Sequence, residues 1–167
     1  AISKFSGVPG RMEVLQNTPF RVIVDFAHTP HAIESVLKEV RTTTKKRLIH
    51  VFGSAGLRDH SKRPLMGKAS AMYSDVIIMT EEDYRTESLD EIIDAVAAGM
   101  PKKDRTAMRR IKDRGEAIDE ALAMAKPGDT VIITGKGHEM SLCRGTTEYP
   151  WNDISETKKR LGRYAKR

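Results

Sequence analysis

One cysteine, Cys143, stands among 167 residues. An internal disulfide is thereby excluded. No Cys/His spacing surrounds it, so neither a structural metal site nor a thiol nucleophile is indicated. A lone thiol suits a reducing compartment, and a cytoplasmic location is the expectation. Aromatic residues make up only 5% of the chain. That is poor material for the stacking platforms that bind single-stranded nucleic acid, and no nucleic-acid-binding motif is present. No apolar run approaches the roughly 20 residues of a membrane span, and no secretory signal is seen. A phosphate-binding Walker A loop is missing as well. Gly67-Lys68-Ala69-Ser70 imitates its end, but Lys62 stands where the first glycine belongs and Ala69 where a magnesium-binding hydroxyl should follow the lysine.

What is there suits an ordinary globular domain. The chain is 39% hydrophobic and 31% charged, values that fit neither a disordered nor a membrane-spanning protein. The formal net charge of +6 suits anionic partners, whether small molecules or nucleic acid. The chain opens at Ala1 on a Ser/Gly/Pro-rich stretch, so residues 1–10 read as a linker within a longer protein and residues 11–167 as one domain.

Short apolar, β-branched runs at Phe20–Phe26, Leu48–Phe52, Asp75–Thr80 and Thr130–Thr134 read as strands buried on both faces. Between them lie helical patterns. Ala32, Ile33, Val36, Leu37 and Val40 form a one-sided stripe behind Thr29 as cap and Pro30 in the first turn. Further helices are expected over about Leu65–Tyr73, Leu89–Ala98 and Glu116–Ala125. Pro101–Arg110 has room for a short strand, and Tyr149–Asp153 reads as a loop. A last basic helix over Ile154–Ala165 has Asp153 and Glu156 at capping-box spacing. Alternating strands and helices with short links predict an α/β fold: a three-layer, Rossmann-like domain whose mostly parallel sheet is covered on both faces.

Four of these strands end in polar clusters, which a parallel sheet would gather on its carboxyl edge, where such sheets bind ligands. Asp25 and His28 follow the first, although a histidine before a helix commonly makes only a local backbone contact. Gly53–Arg63 follows the second and carries Arg58, whose planar fork suits a carboxylate or phosphate, beside Lys62, which reads as solvated. Glu81-Glu82-Asp83-Tyr84-Arg85 follows the third and offers both signs of charge, while Glu81 and Glu87 equally suit acids facing a helix dipole. Gly135-Lys136-Gly137-His138-Glu139 follows the fourth. Gly135 and Glu139 are the candidate ligand contacts, with Lys136 read as solvated. His50 lies inside a strand and reads as structural, and His60 stays open.

Together these clusters resemble the C-terminal domain of the Mur ligases over nearly the whole chain. Gly7-Val8-Pro9-Gly10-Arg11-Met12-Glu13 is similar to that family's hinge, and Asp25-Phe26-Ala27-His28-Thr29-Pro30 to its D-Y-A-H-T-P. Phe52–Met66 follows its F-G-x-G-G-x-R-D-x-x-K-R-P-x-M, with Ser54, Ala55 and Leu57 departing from the glycine-rich pattern and Leu57 replacing what is often an acid, and Gly135–Glu139 matches its G-K-G-H-E. Within the family the motifs are nearest to the ligases that add the third residue of the peptidoglycan stem peptide. The resemblance implies a three-domain, ADP-forming ligase. ATP phosphorylates a carboxylate of UDP-MurNAc-L-Ala-D-Glu, and the acyl phosphate is attacked by the amine of a diamino acid. Central and N-terminal domains outside this chain would carry the P-loop, the Mg2+ ligands and the UDP end, so these residues alone would be inactive. By position, Arg11, Asp25 and His28 would touch ATP. Arg58, Glu82, Asp83, Tyr84, Arg85, Gly135 and Glu139 would line the amino-acid site.

Enzymes of this type that use meso-diaminopimelate carry D-N-P-R where this chain has Glu82-Asp83-Tyr84-Arg85. Retention of Arg85 implies diaminopimelate, whose distal carboxylate it would read, whereas the added charge of Asp83 would suit a more cationic substrate such as lysine. Folylpolyglutamate and cyanophycin synthetases share the domain plan, with cyanophycin synthetase the nearer alternative. A basic nucleic-acid-binding module is the alternative from another class.

Overall fold

The computed structural model describes residues 10–164. The linker read over residues 1–10 lies outside them except for Gly10, as do residues 7–9 of the hinge motif and residues 165–167 of the basic tail. The strands are β1 Glu13–Gln16, β2 Arg21–Asp25, β3 Leu48–Phe52, β4 Val76–Met79, β5 Arg109–Arg110, β6 Thr130–Thr134, β7 Ser141–Arg144 and β8 Thr147–Pro150. The helices are α1 Pro30–Thr43, α2 Lys62–Tyr73, α3 Leu89–Ala97, α4 Lys102–Ala107, α5 Arg114–Met124 and α6 Asp153–Leu161.

Six strands form one sheet in the order β1-β2-β6-β3-β4-β5. Only β1 runs antiparallel; every other pairing in the sheet is parallel. The β-branched runs alternate between two hydrophobic layers because successive strand residues face opposite sides. Ile23, Leu48, Phe52, Met79 and Ile132 face a core shared with α1, α2 and α3. Val22, Val24, Val51, Ile78 and Ile133 face a second core built with Ala117, Ile118 and Leu122 of α5 and Leu161 of α6. This is the three-layer α/β architecture expected of such strands.

Local signals explain the helix starts. Thr29 caps α1 by accepting the Ala32 amide at 3.3 Å, and Pro30 sits in the first turn. Ser88 and Asp113 cap α3 and α5 in the same way. The last helix differs from its expected form. Asn152, not Asp153, is the cap, accepting the Ser155 amide at 3.0 Å. Asp153 is withdrawn into the core, where a buried guanidinium takes both its oxygens. Residues 149–150, expected in a loop, instead form part of β8 in an antiparallel hairpin with β7.

Candidate functional site

The ends of β2, β3, β4 and β6 lie side by side, with Asp25 abreast of Thr134 and Phe52 abreast of Met79. The four polar clusters therefore meet on one edge. Two cavities open there. The first, about 230 Å3, is lined by Arg58, Glu82, Asp83, Arg85, Gly135 and Glu139, together with Phe26, His28, Ala55 and Lys62. The second, about 370 Å3, is lined by Arg11, Asp25, His28 and Ala27 and by the first turns of α1. Phe26 and His28 belong to both and form the wall between them.

In the second cavity the side chains divide into surface and support. The Phe26 ring lies 4.6 Å from the His28 ring and 4.8 Å from that of His138, and the Arg11 guanidinium stands over it at 5.7 Å. These flat faces and one cation are the available surface. His28 Nδ1 donates to the Phe26 carbonyl at 2.9 Å, a local backbone contact that fixes the ring. Asp25 is buried, and both its oxygens are committed: Oδ2 accepts the Met12 amide at 2.8 Å and Oδ1 the Ala27 amide at 2.7 Å. It ties the incoming chain to the loop after β2. Gly10 and Gly137 lie back to back, and a Cβ on either would strike backbone of the opposite loop. Both have positive φ, which glycine adopts without strain.

The first cavity concentrates charge. Arg85 Nη1 donates to the Gly56 carbonyl at 3.2 Å and reaches the Asp83 carbonyl at 3.5 Å, while Nη2 stands 4.0 Å from the Asp83 carboxylate. These are weak contacts for a guanidinium, so it keeps donor capacity toward the cavity. Arg85 adopts a φ of 52° and Leu57 one of 54°, so two non-glycine residues in the loops at this edge sit in the left-handed region. Such strain is tolerated only where surrounding contacts enforce it. Gly53 and Gly56 permit the enforcement: a Cβ at Gly53 would lie 2.7 Å from the Thr80 carbonyl, and one at Gly56 would collide with that of Tyr84.

Several side chains stand differently from their sequence reading. Lys136, read as solvated, is 1% exposed. Its ammonium bridges Asp83 Oδ1 at 2.9 Å and Glu139 Oε2 at 2.5 Å. Burial disfavours its charged form, but the two carboxylates outweigh this and raise its pKa. The extra charge of Asp83 is thereby answered from within, since Oδ1 also accepts the Cys143 amide at 2.9 Å. Tyr84 does not join the first cavity. The left-handed turn at Arg85 leaves it on another face, in an open recess with Leu89, Lys112 and Arg144. Lys62 lines the first cavity and donates to the His28 carbonyl at 3.3 Å, so it is not merely solvated. Glu87 does not serve a helix dipole; it binds Arg63 at 2.7 Å, the Leu57 amide at 2.6 Å and His60 at 3.0 Å. Glu81 pairs with Arg144 and accepts the Arg114 amide at 3.2 Å, so its helix contact is with α5.

The supporting layer beneath the site escaped sequence reading. Arg114 is fully buried and holds Asp153 through two bonds, of 2.8 and 2.7 Å. A signal was present: a cation in the first turn of a helix opposes the helix dipole, so its charge must be used elsewhere. His50 is structural, as read. It bridges Ser70 and Thr134 at 2.9 Å each and stacks on Phe52 with ring centroids 4.4 Å apart. Burial, and then the Arg114 charge, drive its pKa down to about 3.

Fold and edge together define an α/β domain of the parallel-sheet class, with two adjoining cavities at the strand ends. Comparison with known proteins narrows the class: residues 10–137 match the model of the Mur ligase, glutamate ligase domain, and the chain belongs to that family. It is 46% identical over 159 residues to the UDP-N-acetylmuramoyl-L-alanyl-D-glutamate--2,6-diaminopimelate ligase of Aquifex aeolicus, a match covering 95% of this chain and 33% of that protein. It is 44% identical over 165 residues to a UDP-N-acetylmuramyl-tripeptide synthetase of Roseiflexus sp., covering 96% and 32%. A solved UDP-N-acetylmuramoyl-L-alanyl-D-glutamate--2,6-diaminopimelate ligase superposes with a TM-score of 0.86 at 35% identity, over 94% of this chain and 32% of the other. The chain thus spans about a third of the length of these relatives.

Proposed function

We propose that residues 11–167 are the third domain of a three-domain, ADP-forming ligase, reached through the linker at residues 1–10. The full enzyme adds a diamino acid to UDP-MurNAc-L-Ala-D-Glu, with ATP and Mg2+ held largely by domains outside this chain. The relatives whose names describe that reaction support the reading. The observation that carries it is the convergence of Arg58, Glu82, Asp83, Arg85, Gly135 and Glu139 on one cavity beside a second, aromatic one. A zwitterionic amino acid needs a guanidinium for each carboxylate and a carboxylate for each free ammonium. Arg58 and Arg85 supply the first, and Glu82 and the half-exposed Glu139 the second. Arg11, Phe26 and His28 would receive the adenosine end of ATP, with Asp25 holding that loop in shape. ATP supplies the activating phosphoryl group; this domain orients the amine and shields the acyl phosphate from water. Meso-diaminopimelate is the preferred amino acid. Lysine would leave Arg85 facing the cavity without the carboxylate it is free to bind, a loss on the order of 1–3 kcal/mol.

The test uses the full-length protein. Phosphate release from ATP should require both the UDP-muramoyl dipeptide and a diamino acid. Arg85→Ala should lower kcat/KM for diaminopimelate at least roughly tenfold while changing lysine use little. Phosphate release indifferent to every amino acid would refute the ligase reading. An unchanged amino-acid preference would remove Arg85 from specificity.

A further inference from the structure

Arg114 is the largest fully buried side chain among the described residues. Taking a guanidinium out of water costs several kcal/mol, and an apolar residue would fill the same space more cheaply. Its contacts suggest what the charge is for. Besides Asp153, Nη2 donates to the Thr134 carbonyl at 2.9 Å and Nη1 to the Glu81 carbonyl at 3.1 Å. The next residues along the chain are Gly135 and Glu82, and both line the first cavity. Arg114 thus holds the backbone immediately before each of them.

Glu82 itself is unusual. It is 6% exposed, and its Oε2 is buried without a hydrogen-bond partner, alone among the carboxylates of the described residues. A Cβ built on Gly135 would lie 2.7 Å from that oxygen and 3.7 Å from Arg114 Nη2. A side chain there would crowd the carboxylate and stand against the guanidinium. Burial outweighs the neighbouring charges and raises the Glu82 pKa; Arg114 opposes it most, followed by Lys62, His28 and Lys136. Arg58, Asp83, Arg85 and Glu139 complete the charged lining. Asp83 and Glu139 already share Lys136, so Glu82 Oε2 is the buried acceptor left for a ligand cation.

We propose that Arg114 is a positioning residue of the amino-acid cavity. Through the Glu81 and Thr134 carbonyls it sets Glu82 and Gly135 opposite each other. Its fixed charge stands on the side of the Glu82 carboxylate form, which would receive an ammonium group of the incoming amino acid. This rests on the ligase reading above. Asp153 has the matching role of holding Arg114 in place and tempering its charge.

The experiment measures amino-acid and ATP kinetics of the full-length protein across pH. Arg114→Met is expected to raise the amino-acid KM on the order of tenfold at neutral pH, as for loss of a charge-assisted contact. The KM for ATP should not move. The acid limb of kcat/KM for the amino acid should shift to higher pH, because Glu82 loses a fixed counter-charge. Arg114→Lys keeps the charge and should keep the limb. In a Glu82→Gln background the limb should vanish, and Arg114→Met should raise the amino-acid KM far less than it does in the parent, leaving only its effect through Gly135. An equal effect of Arg114→Met in both backgrounds would mean a purely structural arginine and would overturn the proposal. Should Arg114→Met fail to fold, Asp153→Asn decides by sign. It removes the anion that offsets Arg114, so the acid limb should move to lower pH; no shift, or the reverse, overturns the proposal. Turnover that ignores the amino acid in the unaltered protein would instead sink the ligase reading, so the two failures are distinguishable.

Discussion

At the scale of single residues, the polar groups under the site are each held by specific partners. His50 sits mid-strand on a face otherwise occupied by Leu48 and Phe52, where an aliphatic residue would be unremarked. Its two nitrogens join α2 to β6 through Ser70 and Thr134. With its pKa lowered from 6.5 to about 3, the folded protein holds it neutral while the unfolded chain protonates it. Its contribution is therefore complete above the unfolded value and is lost as pH falls toward the folded one. His50→Gln should flatten the stability profile by about 1.4 kcal/mol per pH unit between about pH 6 and pH 4. Urea unfolding across that range measures it; parallel profiles for variant and parent would show that the histidine titrates normally. The role of His50 was legible because an imidazole inside an apolar strand must find partners. That of Lys136 was not, since its partners lie 53 residues away at Asp83 and on the loop's own Glu139.

At the scale of elements, every strand of the sheet core and the main helices could be read from periodicity and caps, because each is a local pattern. The β7–β8 hairpin could not. Residues 141–150 lack an apolar alternation, and β8 is exposed along its length. What holds the hairpin is long-range. Asp83 takes the Cys143 amide, the Gly145 amide donates to the Arg85 carbonyl at 2.9 Å, and Arg144 pairs with Glu81 and Asp113. The hairpin is thus pinned to the loop that presents Arg85. Arg144→Met should speed amide exchange of Leu142 and Cys143 on the order of tenfold, from loss of a charge-assisted pair, without touching the central strands. Equal acceleration in β3 and β6 would mean global destabilisation instead. The same distance effect hid the cap of α6. Asp153 fits a capping-box pattern, but the pattern cannot show that Arg114 claims it first. Asp153→Ala should cost about 3–5 kcal/mol in urea unfolding, as expected when a buried charge loses its partner.

At the scale of the whole molecule, the proposed function makes this chain one side of a reaction site. It carries no Walker A loop, so by itself it should release no phosphate from ATP; measurable release would require a phosphate site that its sequence does not contain. Its basic surface should likewise give no oligonucleotide binding at physiological salt, which a titration can check. The wall formed by Phe26 and His28 has a further consequence. Its two rings line both cavities, so whatever occupies one borders residues that bound the other. On the proposed function these occupants are nucleotide and amino acid, and any factor by which the first alters the affinity of the second must be returned in equal measure. Calorimetry of the full-length protein, titrating each ligand with and without the other, should find a factor well away from one. A factor of one would mean that the partition is deaf to both sides.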